Sequence, residues 1–250
     1  MTIPLFSLSF LLLPFTCTSI STPTFVDTST WFGSEYTPAG ASNTMWWSFY
    51  DHYIPSIHRE LQAASYRFKM NTLRMFLHTQ SYECNPTQFI QNVDNFLTIA
   101  SSYGYKSGLV FFDTCWNEEG NYCAAECVPQ KGLHNGCWTY SPQVSNMTTI
   151  DHFYPYVSDI MNAFAMDDRI AFFEIYNEPR GPNTNFTFAL RDAAYNWTIA
   201  YNPIAPVISC WDDNIDTEIV DHHDYTPDFN TSWKPAVYSN VLKGGVIMLL

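Results

Sequence analysis

The triplet Asn177-Glu178-Pro179 closes an apolar run that starts at Ala171. The run, Ala171-Phe-Phe-Glu-Ile-Tyr176, is of strand type, so it presents a carboxyl group at the strand's carboxyl end, where the next loop begins. In a parallel α/β barrel that end is where the chemistry sits. A carboxyl group there can hand a proton to a leaving group, provided its surroundings raise its pKa toward working pH. Asn and Pro are also ordinary turn residues and Glu is ordinarily exposed, so the triplet alone equally describes a surface turn.

The elements that would hold Glu178 in place can be read from hydrophobic spacing. Thr30-Trp-Phe-Gly-Ser-Glu-Tyr36 reads as a first short strand, Thr72 to His78 as a second and Ser107 to Asp113 as a third. Ile170 to Asn177 reads as a fourth, Pro206 to Cys210 as a fifth and Ile219 to Tyr225 as a sixth. Gly244 to Leu250 reads as the opening of a seventh. Between them, Ile57, Leu61, Ala64 and Phe68 mark one helical face. Phe89, Val93, Phe96, Leu97 and Ala100 mark another, begun by Asn85-Pro86 and ended by Gly104. Phe153, Val157, Ile160, Met161 and Phe164 mark a third, with Pro155 tolerated in its first turn. Residues 187–200 follow a helical pattern too.

Apolar strands separated by helices imply a parallel sheet covered on both faces. Right-handed crossovers leave an open doubly wound sheet or a (β/α)₈ barrel. The first turn, Ser34-Glu-Tyr-Thr-Pro-Ala-Gly40, holds no phosphate cradle of the kind an open nucleotide-binding sheet shows. Polar and aromatic residues recur instead at strand ends: Glu35, Arg74, His78, Asp113, Trp116, Asn177, Glu178, His223 and Tyr225. That is the rim a barrel's active site requires. The expected fold is therefore an α/β (β/α)₈ TIM barrel, incomplete at the C-terminus, with strands 1–6 and the start of strand 7.

The ordered series of motifs resembles the (β/α)₈ glycoside hydrolases of clan A, specifically the family 5-like cellulases, mannanases and xylanases. It runs from about Trp31 to Tyr225: Glu35-Tyr-Thr-Pro-Ala with Met45-Trp-Trp47, Arg59-Glu-Leu-Gln, Asn71-Thr-Leu-Arg-Met-Phe-Leu-His78, Phe112-Asp-Thr-Cys-Trp116, His134-Asn-Gly-Cys-Trp138 and Tyr176-Asn-Glu-Pro179. The resemblance implies a sugar-cleaving site. Glu178 would be its acid/base. Asn177 would bond the sugar 2-hydroxyl, and Arg74 would orient the catalytic carboxylates. His223 and Tyr225 would line the cleavage subsite. His134 resembles a substrate-binding histidine, and Glu35 and Asp113 join the rim. Trp116 and Trp138 are candidate stacking platforms, or loop packing beside cysteines. The implied partner is a β-linked glycan, with no cofactor and no metal.

A retaining glycosidase needs a second carboxyl group about 5–5.5 Å from the first. In the family this nucleophile is a Glu closing the seventh strand; Gly245-Val-Ile-Met-Leu-Leu250 reaches no carboxylate. Glu174 lies four residues before Glu178, roughly 13 Å along one strand at about 3.3 Å per residue, too far for the pair. It reads as an interior carboxylate in need of a partner such as Arg74. The expectation is a chain that lacks the nucleophile. A non-catalytic carbohydrate-binding barrel is the alternative. A metal-dependent hydrolase using Asp221, His222, His223 and Asp224 is a third class, but neighbouring residues point to opposite faces of a strand.

The totals fit this picture. The chain has 250 residues, 46% of them hydrophobic and 17% aromatic, enough for one substantial core. Asp plus Glu number 24 against 11 Lys plus Arg, a net charge of -13, which argues against nucleic acid or an anionic membrane as partner. Residues 3–16 form an apolar block too short to span a bilayer comfortably, followed by small residues. It reads as a secretory signal peptide over 1–21, leaving a barrel domain over 22–250; an uncleaved anchor is the other reading. Asn146, Asn185, Asn196 and Asn230 begin glycosylation acceptor triplets, which suits a secreted, extracellular protein. Without Cys17, six cysteines remain, four of them between Cys115 and Cys137, which reads as disulfides pinning a loop.

Overall fold

The computed structural model describes residues 27–115, 123, 138–142, 150–179, 184–208, 217, 219–223 and 246–249. The expected signal peptide and Trp116, His134 and Tyr225 lie outside them. Five parallel strands pair in chain order: β1 (Gly33–Glu35), β2 (Thr72–Phe76), β3 (Lys106–Asp113), β4 (Ile170–Asn177) and β5 (Val207–Ile208). Strands β6 (Val220–His223) and β7 (Val246–Leu249) pair in parallel as well, and a parallel bridge from Ile208 to Ile219 joins the two sets. Among the described residues, β1 to β5 with the helical crossovers between them, followed by the β6–β7 pair, form part of a (β/α)₈-type barrel wall.

The crossovers are helical because each carries one apolar stripe. Helix α4 (Pro86–Ser102) starts where the Asn85 side chain accepts the Gln88 N–H at 3.1 Å, with Pro86 in the first turn. Its expected face is fully buried from Phe89 to Ala100, and Gly104 leaves the helix at φ 86°. Helix α5 (Tyr154–Phe164) tolerates Pro155 because its first-turn N–H would have no intrahelical acceptor. Helix α6 spans Thr184–Ile199.

Other features depart from the sequence expectation. Helix α2 (Tyr50–Phe68) buries Tyr50, Tyr53, Ile57 and Leu61, so its inner face begins about two turns before the Ile57-to-Phe68 spacing predicts. Phe68 ends that helix 62% exposed, because the stripe continues past the core beneath it. Two short helices were not anticipated, α1 (Met45–Ser48) and α3 (Thr79–Cys84). His78 does not extend β2; it caps α3, its Nδ1 accepting the Gln80 N–H at 3.2 Å. The first strand is shorter than Thr30–Tyr36, and the described fifth strand is only Val207–Ile208.

Side chains alternate between two apolar layers. Leu73, Met75, Leu109, Phe111, Phe173 and Ile175 face the helices and pack with Trp47, Phe96 and Ile160. A smaller cluster joins Phe172, Ala171, Ile208 and Ile219, with Trp31 stacked on Phe172 at 5.7 Å. Gly108 is obligatory there: a Cβ would lie 2.0 Å from the Phe172 ring.

Candidate active site

The carboxyl ends of β1 to β4 converge on one polar chain. From β2, Arg74 grips Glu174 of β4 side-on, Nε to Oε2 at 2.7 Å and Nη2 to Oε1 at 2.5 Å. Nη2 also donates to Asn177 Oδ1 at 2.7 Å, and Nη1 lies 3.6 Å from Glu35 Oε2 at the end of β1. Asn177 Nδ2 in turn donates to Asp113 Oδ1 at 2.5 Å, at the end of β3. Asp113 Oδ2 accepts the Cys115 N–H at 2.9 Å, and the Cys115 thiol donates to Glu178 Oε2 at 3.3 Å. The strand registers impose these meetings: Glu35 lies beside Arg74, and Asp113 beside Asn177.

Burial grades the chain from inside to outside. Glu174 and Asp113 are fully buried, Arg74 and Asn177 nearly so, Glu178 is half-buried and Glu35 is exposed. Glu174 stays in the interior because the guanidinium meets both its oxygens. Burial pushes the Asp113 carboxyl up to about 7, against the pull of Asn177 and Cys115, which lower it. Burial and then the charges of Asp113 and Glu178 push the Cys115 thiol up, so it stays a thiol and a hydrogen donor. Glu178 itself has φ 45°, a left-handed backbone that only Gly adopts freely. Such strain gathers at sites where geometry matters more than local comfort.

A short segment, residues 138–142, closes over the ends of β2 and β3. Ser141 bridges Asp113 in antiparallel fashion through both backbone groups. The Thr139 carbonyl accepts from Asn43 Nδ2 at 2.7 Å and lies 3.1 Å from His78 Nε2. Burial holds His78 down to about 4, so its ring is neutral and structural. Trp138 sits half-buried at the start of this segment. His223 ends β6 in register with Leu249. Among the described residues one disulfide, Cys84–Cys123, is present, and Cys115, expected within the disulfide cluster, is instead a free thiol.

The structure thus brings Glu35, Arg74, Asp113, Asn177 and Glu178 together. Cys115 was recognised in the sequence only as one of a cysteine cluster; its place beside Glu178 depends on the β3–β4 register. A cavity of about 450 Å³ among the described residues, lined by Trp31, Asn71, Lys106 and Asp168, opens at the opposite end of the strands.

Parallel strands in chain order, with charged and amide side chains gathered at their carboxyl ends, define a (β/α)₈-type barrel with a polar rim. Solved structures of the same fold include the exo-β-1,4-mannosidase Op5Man5 from Opitutaceae bacterium strain TAV5, at TM-score 0.54 and 13% identity over 80% of this chain and 41% of that one. A GH5_18 protein from Bifidobacterium longum subsp. infantis matches at TM-score 0.54 and 14% identity, over 78% of this chain and 50% of that one. A GH5_18 variant from Streptomyces cattleya, solved with Manb1-4GlcNAc, matches at TM-score 0.52 and 12% identity, over 78% and 51%. The fold is therefore that of the clan A, family 5-like barrels, and the chain spans about half the length of these relatives. No family model matches the chain, and no curated protein matches it by sequence.

Proposed function

We propose that the chain is a secreted retaining β-glycoside hydrolase that acts on O-glycosidic bonds of a β-linked oligosaccharide or polysaccharide of plant or microbial type. The observation that carries this reading is Glu178, half-buried at the end of β4, beside an Asn177 amide held by Arg74 and Asp113. In this reading Glu178 protonates the glycosidic oxygen as the bond breaks, and then takes a proton from the attacking water. Asn177 donates to the hydroxyl next to the reacting carbon. Arg74 keeps positive charge beside the carboxylates, which favours ionisation of the second carboxyl group that retention requires. Asp113 is a poor candidate for that second group, being fully buried with both oxygens engaged. His223, Tyr225, His134, Trp116 and Trp138 are assigned to the sugar-binding cleft. The relative solved with Manb1-4GlcNAc supports a β-linked glycan as substrate. The apolar block at residues 3–16 supports export.

The test is hydrolysis of aryl β-glycosides and β-linked oligosaccharides by the full chain and by Glu178→Gln, with product anomers read by NMR. Hydrolysis with retention, abolished by Glu178→Gln, would support this reading and would require a carboxyl group outside the matched motifs to act as nucleophile. Glycan binding without hydrolysis in either protein would overturn the catalytic reading in favour of a carbohydrate-binding barrel.

A further inference from the structure

The sequence groups Asp113 with the residues that touch sugar. Its surroundings give it another task. It is the last residue of β3, it is fully buried, and each carboxylate oxygen already holds a protein N–H: Asn177 Nδ2 at 2.5 Å and Cys115 N at 2.9 Å.

We propose that Asp113 is a positioning residue that fixes the Asn177 amide in one orientation and anchors the turn from which Cys115 reaches Glu178. The inference rests on the reading of Glu178 as acid/base. Asn177 is gripped at both ends, Oδ1 by the Arg74 guanidinium at 2.7 Å and Nδ2 by the Asp113 carboxylate at 2.5 Å. With Asp113 ionised, a flipped amide would set its oxygen against a carboxylate and its NH₂ against a guanidinium, two repulsive contacts in a buried place. The network therefore admits one flip state. One Nδ2 hydrogen is spent on Asp113. The other has only a long contact, 3.8 Å, to the Cys115 sulfur. A sugar hydroxyl displaces so weak a contact at little cost, so the clamp leaves one N–H directed and available. The same carboxylate holds the Cys115 N–H, and the Cys115 thiol donates to Glu178 Oε2 at 3.3 Å. One buried carboxylate thus sets both neighbours of the acid, the amide and the thiol.

Asp113→Asn separates this role from ordinary packing. It keeps the size of the side chain but can accept from only one of the two N–H donors. The expected result is a folded protein whose Asn177 side-chain NH₂ signals, followed by ¹H–¹⁵N NMR, lose their separation and exchange faster with water. Hydrolysis by the same variant should fall roughly ten- to a hundred-fold in kcat, the size of effect that misplacing a reacting group produces, with KM nearly unchanged. Unaltered Asn177 signals, or a change in KM alone, would overturn the proposal; the second outcome would return Asp113 to direct sugar contact. Should Asp113→Asn not fold, the wild-type chain decides: separate, slowly exchanging Asn177 amide protons support the clamp, and averaged, fast-exchanging ones overturn it. Should the wild type hydrolyse no glycoside, the functional reading fails while the NMR result still decides the clamp.

Discussion

Arg74 and Glu174 meet side-on across the barrel wall, 100 residues apart in sequence, with Nε and Nη2 each on one carboxylate oxygen at 2.7 and 2.5 Å. Neither side chain is more than 5% exposed. Removing one partner of such a pair strands a charge in the interior. Arg74→Met is expected to destabilise the fold by about 3–5 kcal/mol, whereas Arg74→Met with Glu174→Leu recovers most of that loss. Urea midpoints of the two proteins check this; equal midpoints would contradict it.

Two buried titratable groups oppose each other in the stability–pH curve. Burial raises the Asp113 carboxyl from 3.8 to about 7, so between these values the folded state holds a proton that the unfolded state has released. Stability from this group is fully present below pH 3.8 and is lost as pH rises through 7, on the order of 4 kcal/mol. Burial lowers His78 from 6.5 to about 4, so its stability is present above pH 6.5 and is lost as pH falls through 4, on the order of 3 kcal/mol. Between pH 4 and 6.5 the slopes cancel. Asp113→Asn removes one of them. Its stability should climb with pH across that window, while the wild type changes little from these groups. Thermal melts at half-unit pH steps would show whether the two curves diverge.

Cys84 and Cys123 close a loop over a separation of 39 residues. Chain-entropy arguments give a cross-link of that span roughly 4 kcal/mol, with measured values commonly about 2–4. Cys84→Ser with Cys123→Ser should lower the melting temperature accordingly. An unchanged melting temperature would mean that the loop is held by other contacts.

Gly108 faces the Phe172 ring with no room for a methyl group. Gly108→Ala should destabilise by at least about 1–3 kcal/mol through overpacking. Phe172→Leu in the same chain should return part of it. If Gly108→Ala were neutral, the two strands would have to be further apart than described.

The long elements were legible because their burial follows a simple period. β4 runs from Ile170 to Asn177 as its unbroken apolar run implied, and α4 begins and ends at the Asn, Pro and Gly that announce a helix. Glu174 was legible as a charge in need of a cation, since a carboxylate in the middle of a buried strand has few other ways to persist. α1 and α3 were not legible. Thr79-Gln-Ser-Tyr-Glu-Cys84 has no apolar period, and its polar residues find partners only in distant segments, Thr79 at Ser141 and Ser81 at Thr44 and Ser48. The contact from the Cys115 thiol to Glu178 lies beyond any local pattern, because it exists only once the ends of β3 and β4 lie side by side.

The left-handed backbone at Glu178 sets durability against use. A side chain in that conformation carries a penalty of about 1–2 kcal/mol, and Glu178→Gly would erase it while giving back about 0.4–1 kcal/mol through a looser unfolded chain. The balance favours glycine by a small margin. A library ranked on heat resistance alone should therefore drift toward discarding the carboxyl group at this position, and only a screen that rewards turnover should keep it.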